Sequence, residues 1–175
     1  MSVQELLKLY QLQWLPPGTP ELPPRARSWL FEEGSMTVRL ESYCQSLTVD
    51  VLREGFIDSQ LLLPHEAEVS GFDHEQRYWL REVVLSGDNS PWLMGRTVLP
   101  ESTLTGREVA LTSLGESPLG RYLFSSPLLS RDFIHPGKND DLWGRYSLLR
   151  LSGKPLMLTE IFLPSSPLYQ DGVKG

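Results

Sequence analysis

The chain has 175 residues, 40% of them hydrophobic and 22% charged, with a formal charge of −6 and a single cysteine, Cys44. That length suits one domain spanning 1–175 with a real core, and the acidic balance excludes a broadly basic nucleic-acid surface. No apolar run approaches the roughly eighteen residues of a membrane span, the start lacks a basic-then-apolar leader, and one cysteine fits a reducing cytoplasm.

The lead-in "WLPPGTPELPPRARSWL" holds five prolines and reads as irregular. A helix is expected from Pro24, where proline suits the first turn, to a stop at Gly34. Ser35 is placed to cap a second short helix through Leu40. Beyond it, "SLTVDVLREGF" alternates apolar and polar residues as a half-buried strand. "RYWLREVVLSGDNSPWLMGRTVLP" reads as a β-hairpin turning at Gly87, Asp88 and Asn89. "GREVALTSLG" predicts a short helix closed by Gly115, and "GRYSLLRLSGKPLMLTEIFLP" a second hairpin turning at Ser152-Gly153. The aromatics Trp79, Trp92, Tyr122, Phe124 and Trp143 are assigned to strands, mostly in the core. Short turns between strands predict a mainly antiparallel sheet with helices gathered to one side, an α+β fold.

Two charges sit in apolar strands. Side chains alternate faces, so Arg81 shares a face with Trp79, Val83 and Leu85, and Glu160 with Leu156, Leu158 and Phe162. A buried ion needs a partner. Two arrangements provide one: a structural ion pair, of these residues together or with local groups, or a pocket with a cation at one end and a carboxylate at the other. Strand parity leaves both open. The planar fork of Arg81 would match a ligand carboxylate bidentately, and Glu160 would meet a hydroxyl.

Other chemistry is weaker. "PHEAEVSGFDHEQ" gathers His65, Glu66, Glu68, Asp73, His74 and Glu75 without tight ligand spacing, so a solvated acidic loop is expected and no metal site. There is no nucleophile elbow, phosphate loop or dinucleotide fingerprint. Cys44 lacks a nearby basic group and reads as an inert thiol.

The ordered set "EGSMT", "VLREGF", "RYWLRE", "WLMGRTVLPESTLTG", "PLGRYLFSS", "LSRDFI", "LWGRYS" and "LRLSGKPLMLTEIFLPSSPLY" resembles the chorismate lyase family, whose members make 4-hydroxybenzoate for ubiquinone. The match runs from about Gly34 to Tyr169, with residues 1–33 and the tail "QDGVKG" carrying little of it. The resemblance implies an antiparallel sheet flanked by helices, and ligand contacts at Met36, Arg81, Leu119 and Glu160. Arg81 would hold a carboxylate with main-chain help near Met36 and Leu119, Glu160 would meet the ring hydroxyl, and no cofactor is called for. A second cation for the enolpyruvyl group is sought among Arg96, Arg150 and Lys154. The substrate is expected to be chorismate, the products 4-hydroxybenzoate and pyruvate, and the protein a cytoplasmic monomer. The alternative is a small-molecule-sensing domain of the same fold without catalysis. One departure is visible: the family reads Gly-Arg-Arg-Ser where this chain has Gly144-Arg145-Tyr146-Ser147.

Overall fold

The computed structural model describes residues 11–16, 22–69, 71–73, 76–139 and 141–170. Its strands are β1 (Gln13–Trp14), β2 (Leu47–Ile57), β3 (Tyr78–Gly87), β4 (Ser90–Pro100), β5 (Leu129–Asn139), β6 (Leu142–Leu151) and β7 (Lys154–Phe162). They form one sheet in the order β1-β5-β6-β7-β4-β3-β2, with every neighbouring pair antiparallel. The helices are α1 (Pro24–Leu30), α2 (Met36–Glu41), the single turn α3 (Pro64–Ala67) and α4 (Leu119–Ser125).

Both predicted hairpins form, and their turn residues explain why. Asp88 and Asn89 adopt φ of 47° and 71°, and Ser152 and Gly153 adopt 54° and 80°. Two successive positive φ values give a turn whose twist matches that of the flanking strands. The second hairpin keeps the register its turn sets, the first shifts by one residue between Ser86 and Leu85, and the two join through β4 and β7 at the centre of the sheet.

The sheet buries both faces. On one, α1 and α2 pack Trp29, Leu30, Met36 and Leu40 against Leu85, Leu93 and Phe162, while Leu123 of α4 joins Leu149 and Leu156. On the other, Leu80, Val98 and Met157 lie under Phe72 and Leu62, from the connection between β2 and β3. Fully burying one such Leu or Phe is worth about 1.5–3 kcal/mol. The front face thus carries α1, α2 and α4, and the back is closed by α3 and its flanking loops.

Three expectations change. The first helix ends at Leu30, not Gly34, because the Arg145 guanidinium takes the carbonyls of Leu30 (3.0 Å) and Glu32 (2.7 Å). Residues 106–113 are a 3-10 helix lying between Gly106 and Gly115, both at positive φ. Tyr122 and Phe124 lie on α4 rather than on a strand. The Ser35 cap forms as expected, its Oγ accepting from the Val38 amide at 3.2 Å.

Candidate active site

Cross-strand register decides which side chains share the front face. Arg81 of β3 stands opposite Thr97 of β4, which stands opposite Leu158 of β7. One step along, Val83 faces Gly95, Gly95 faces Glu160, and Glu160 faces Arg145 of β6. Opposed residues project to the same side. Arg81 and Glu160 therefore point the same way from strands separated only by β4, about 10 Å apart at the backbone.

Both line one cavity. Its floor is Val83, Gly95, Thr97 and Leu158, and its roof is Met36, Thr37, Pro118, Leu119 and Phe124 from α2, α4 and their approaches. It measures about 60 Å³, well below the roughly 300 Å³ of drug-sized pockets. A ligand larger than this needs the roof to shift. The two roof helices meet closely: a Cβ built on Gly120 would lie 2.6 Å from Thr37 Oγ1, and Arg121 bonds Glu41 at 2.7 Å. A wider groove of about 480 Å³ lies between α1 and residues 165–170. It contains neither Arg81 nor Glu160, so size alone misplaces the chemistry.

Arg81 is 2% exposed. Its Nη1 donates to Glu54 Oε2 and to the Gly115 carbonyl, each at 3.0 Å, and its Nη2 to the Ser117 carbonyl at 3.0 Å. Its Nε–H, also buried, has no hydrogen-bond partner. An unsatisfied buried donor of a charged group costs about 1–3 kcal/mol or more, which a ligand acceptor would relieve.

Glu160 is 4% exposed, and its Oε1 accepts from Arg145 Nε at 2.8 Å. The second carboxylate oxygen takes no hydrogen bond from any described residue. Glu160 thus has a local structural partner and faces the cavity as well, so the two readings of its burial hold together.

The three cations considered for a second anion lie elsewhere. Arg96 points to the back face, where it donates to Glu66 at 2.8 and 2.9 Å and to Glu82 at 3.4 Å. Arg150 pairs with Asp132 at 2.9 Å, and Lys154 bonds Thr105 and lies 3.4 Å from Glu108. The cavity is lined instead by Arg131 and Arg145. Parity carries this signal: Arg96 alternates with Gly95 and Thr97, while Arg145 stands directly opposite Glu160.

The expected solvated acidic loop is also corrected. Glu66 is completely buried against Arg96, and His65 is buried with its Nε2 2.8 Å from Thr159 Oγ1. Burial, with the Arg96 charge second, lowers the His65 pKa to about 4. His74 and Glu75 lie outside the described residues. Cys44 is half-buried, and burial above all raises its pKa, as an inert thiol requires. Tyr146, where the chain departs from the family pattern, faces the back, stacked on His135 with ring centroids 5.1 Å apart.

An antiparallel α+β sheet with a roofed cavity, walled by guanidinium groups and one carboxylate, defines a fold with a charged, partly covered pocket on its front face. The sequence model of the family described as Chorismate lyase matches residues 8–174. Chorismate pyruvate-lyase of Photorhabdus laumondii subsp. laumondii is 53% identical over 171 residues, 97% of this chain and 99% of that one. Chorismate pyruvate-lyase of Cronobacter sakazakii is 61% identical over 141 residues, 81% and 82% of the two chains. Among solved structures, PhnF from Mycobacterium smegmatis superposes with a TM-score of 0.52 at 16% identity, over 92% of this chain and 77% of that one, a likeness of fold. The chain belongs to the chorismate lyase family.

Proposed function

We propose that this protein converts chorismate to 4-hydroxybenzoate and pyruvate, supplying the aromatic precursor of ubiquinone. The observation that carries the reading is the pairing of a buried, incompletely bonded Arg81 with a cavity-facing Glu160 under a closed roof.

In this reading Arg81 receives the ring carboxylate through its Nε–H, with main-chain groups near Met36 and Leu119 assisting. Glu160 accepts from the ring hydroxyl. The ring carbon bearing that hydroxyl loses its hydrogen as a proton, and the C–H electron pair becomes the new ring double bond. The neighbouring ether C–O bond breaks with its pair going to oxygen, and the enolpyruvate takes up a proton to give pyruvate. Aromatisation drives the step, so no electron sink is required. The protein contributes orientation and fixed charge in a dry site. Because the roof encloses the ligand, release of 4-hydroxybenzoate is slow and the α2 and α4 segments act as lids.

The test is incubation of the purified protein with chorismate in chelator-containing buffer, with both products assayed. Formation of 4-hydroxybenzoate and pyruvate in equal amounts is expected. Binding of chorismate without turnover would replace the lyase with a sensing role. We place the protein in the cytoplasm as a monomer, a reading that its lone half-buried thiol supports; light scattering behind a sizing column checks the oligomeric state.

A further inference from the structure

Arg131 of β5 is the cavity cation with the least protein bonding. Arg145 donates to Glu160 and two carbonyls, and Arg81 to Glu54 and two carbonyls with its Nε–H left over. Among the described residues Arg131 makes one long hydrogen bond, from Nη1 to Ser147 Oγ at 3.3 Å, and no carboxylate lies within 4 Å of it. Burial first, then repulsion from Arg145, lowers its pKa, against the opposing attraction of Glu160, Glu33 and Glu32. The cavity thus presents a half-buried guanidinium that several carboxylates influence at a distance but none contacts directly, a group suited to an incoming anion.

Its position is equally specific. β5 and β3 are separated by β6, β7 and β4, about 19 Å of sheet at the usual strand spacing. Arg81 and Arg131 therefore reach into the cavity from opposite sides, with Glu160 between them. Arg131 also lines a second, more open crevice of about 240 Å³ with Glu33, Phe124, Ser126 and Leu149. Only Arg131 and Phe124 belong to both spaces.

The substrate in the reading above is a dianion. With its ring carboxylate on Arg81 and its hydroxyl on Glu160, the adjacent ether carries the side-chain carboxylate out to one flank of the Glu160 end, away from Arg81. We infer that Arg131 binds the enolpyruvyl carboxylate there, and that the pyruvate released leaves past Arg131 and Phe124 into the outer crevice. The inference rests on the proposed lyase reading and adds to it a residue for the half of the substrate that Arg81 does not hold. Charge on the departing oxygen grows beside this guanidinium, so the interaction strengthens as the bond breaks.

The discriminating measurement compares substrate with product, because 4-hydroxybenzoate lacks the enolpyruvyl group. Arg131→Met is expected to lower kcat/KM for chorismate by on the order of 10²–10³-fold, while the Kd of 4-hydroxybenzoate stays within about twofold. Arg131→Lys should restore part of the loss, since it returns the charge without the planar fork. Should the Met variant fail to fold, the Lys variant carries the same comparison. Equal losses for substrate and product, or an unchanged kcat/KM, would overturn the assignment. If wild-type protein does not convert chorismate at all, the lyase reading itself fails, a result distinct from either of those.

Discussion

Arg145 and Glu160 stand directly opposite one another on β6 and β7, and their side chains meet at 2.8 Å within the front face. The same guanidinium holds the carbonyls of Leu30 and Glu32, at the end of α1 and just before the roof. One buried cation thus fixes both the cavity carboxylate and the chain segment leading to the lid. Arg145→Met should destabilise the protein by about 3–5 kcal/mol, because it strands a buried carboxylate. Adding Glu160→Gln should recover much of that loss. Urea denaturation of the single and double variants measures the coupling.

Arg81→Ala removes the proposed anchor for the ring carboxylate. Affinity for 4-hydroxybenzoate should drop by on the order of 10²-fold, as for loss of a charge-assisted bond. The carbonyls of Gly115 and Ser117 also lose their donor, so stability should fall by about 1–3 kcal/mol. Calorimetric titration with 4-hydroxybenzoate separates the two effects, and unchanged affinity would remove the anchor role.

Substitutions at Glu160 divide hydrogen bonding from proton transfer. If the carboxylate mainly orients the ring hydroxyl, Glu160→Gln should keep far more kcat than Glu160→Ala. Equal and complete loss in both variants would assign it the proton. Single-turnover kinetics are the relevant measurement, because slow release would mask the chemical step.

Gly120 permits the two lids to touch. A methyl group there would press on Thr37 Oγ1, so Gly120→Ala should hold α2 and α4 apart and speed the dissociation of 4-hydroxybenzoate. Pairing it with Thr37→Ala, which removes that oxygen, should restore slow release. Stopped-flow displacement of the product reads both rates.

His65 gives a pH signature of stability. Its folded-state pKa of about 4 lies below the ordinary 6.5. The contribution is fully present above pH 6.5 and is lost as pH falls towards 4, where the unfolded chain takes up a proton that the buried ring refuses. The loss amounts to about 3 kcal/mol. Denaturation at pH 7 and pH 4.5 should show a smaller decline for His65→Gln than for the parent. Parallel declines would assign the acid lability to other groups.

Much of the fold was legible because its central elements carry local instructions. Asp88-Asn89 and Ser152-Gly153 specify turns, and alternation in β3 and β7 specifies which charges share a face. β5 was not legible: "LSRDFIHPGKN" mixes charges with a proline, and Pro136 is tolerated because its carbonyl accepts from Leu15 at 2.9 Å while its missing N–H costs little beside the two-residue strand β1. α4 was hidden because its seven residues, Leu119–Ser125, are too few to show helical periodicity. At the site, parity singled out Arg81 and Glu160 as charges among apolar neighbours, and both line the front cavity. Arg131 escaped notice because its strand did, and Arg145 because its partner was sought at a distance rather than on the adjoining strand.

A single layer of backbone separates two ionic assemblies, Arg145 with Glu160 in front and Arg96 with Glu66 and Glu82 behind. Tyr146 belongs to the rear compartment, stacked among His65, His135 and Trp14. Tyr146 therefore furnishes the chamber behind the partition and has no part in walling the one in front. A substitution at that position would act on the rear packing first, with the sheet itself standing between it and Glu160.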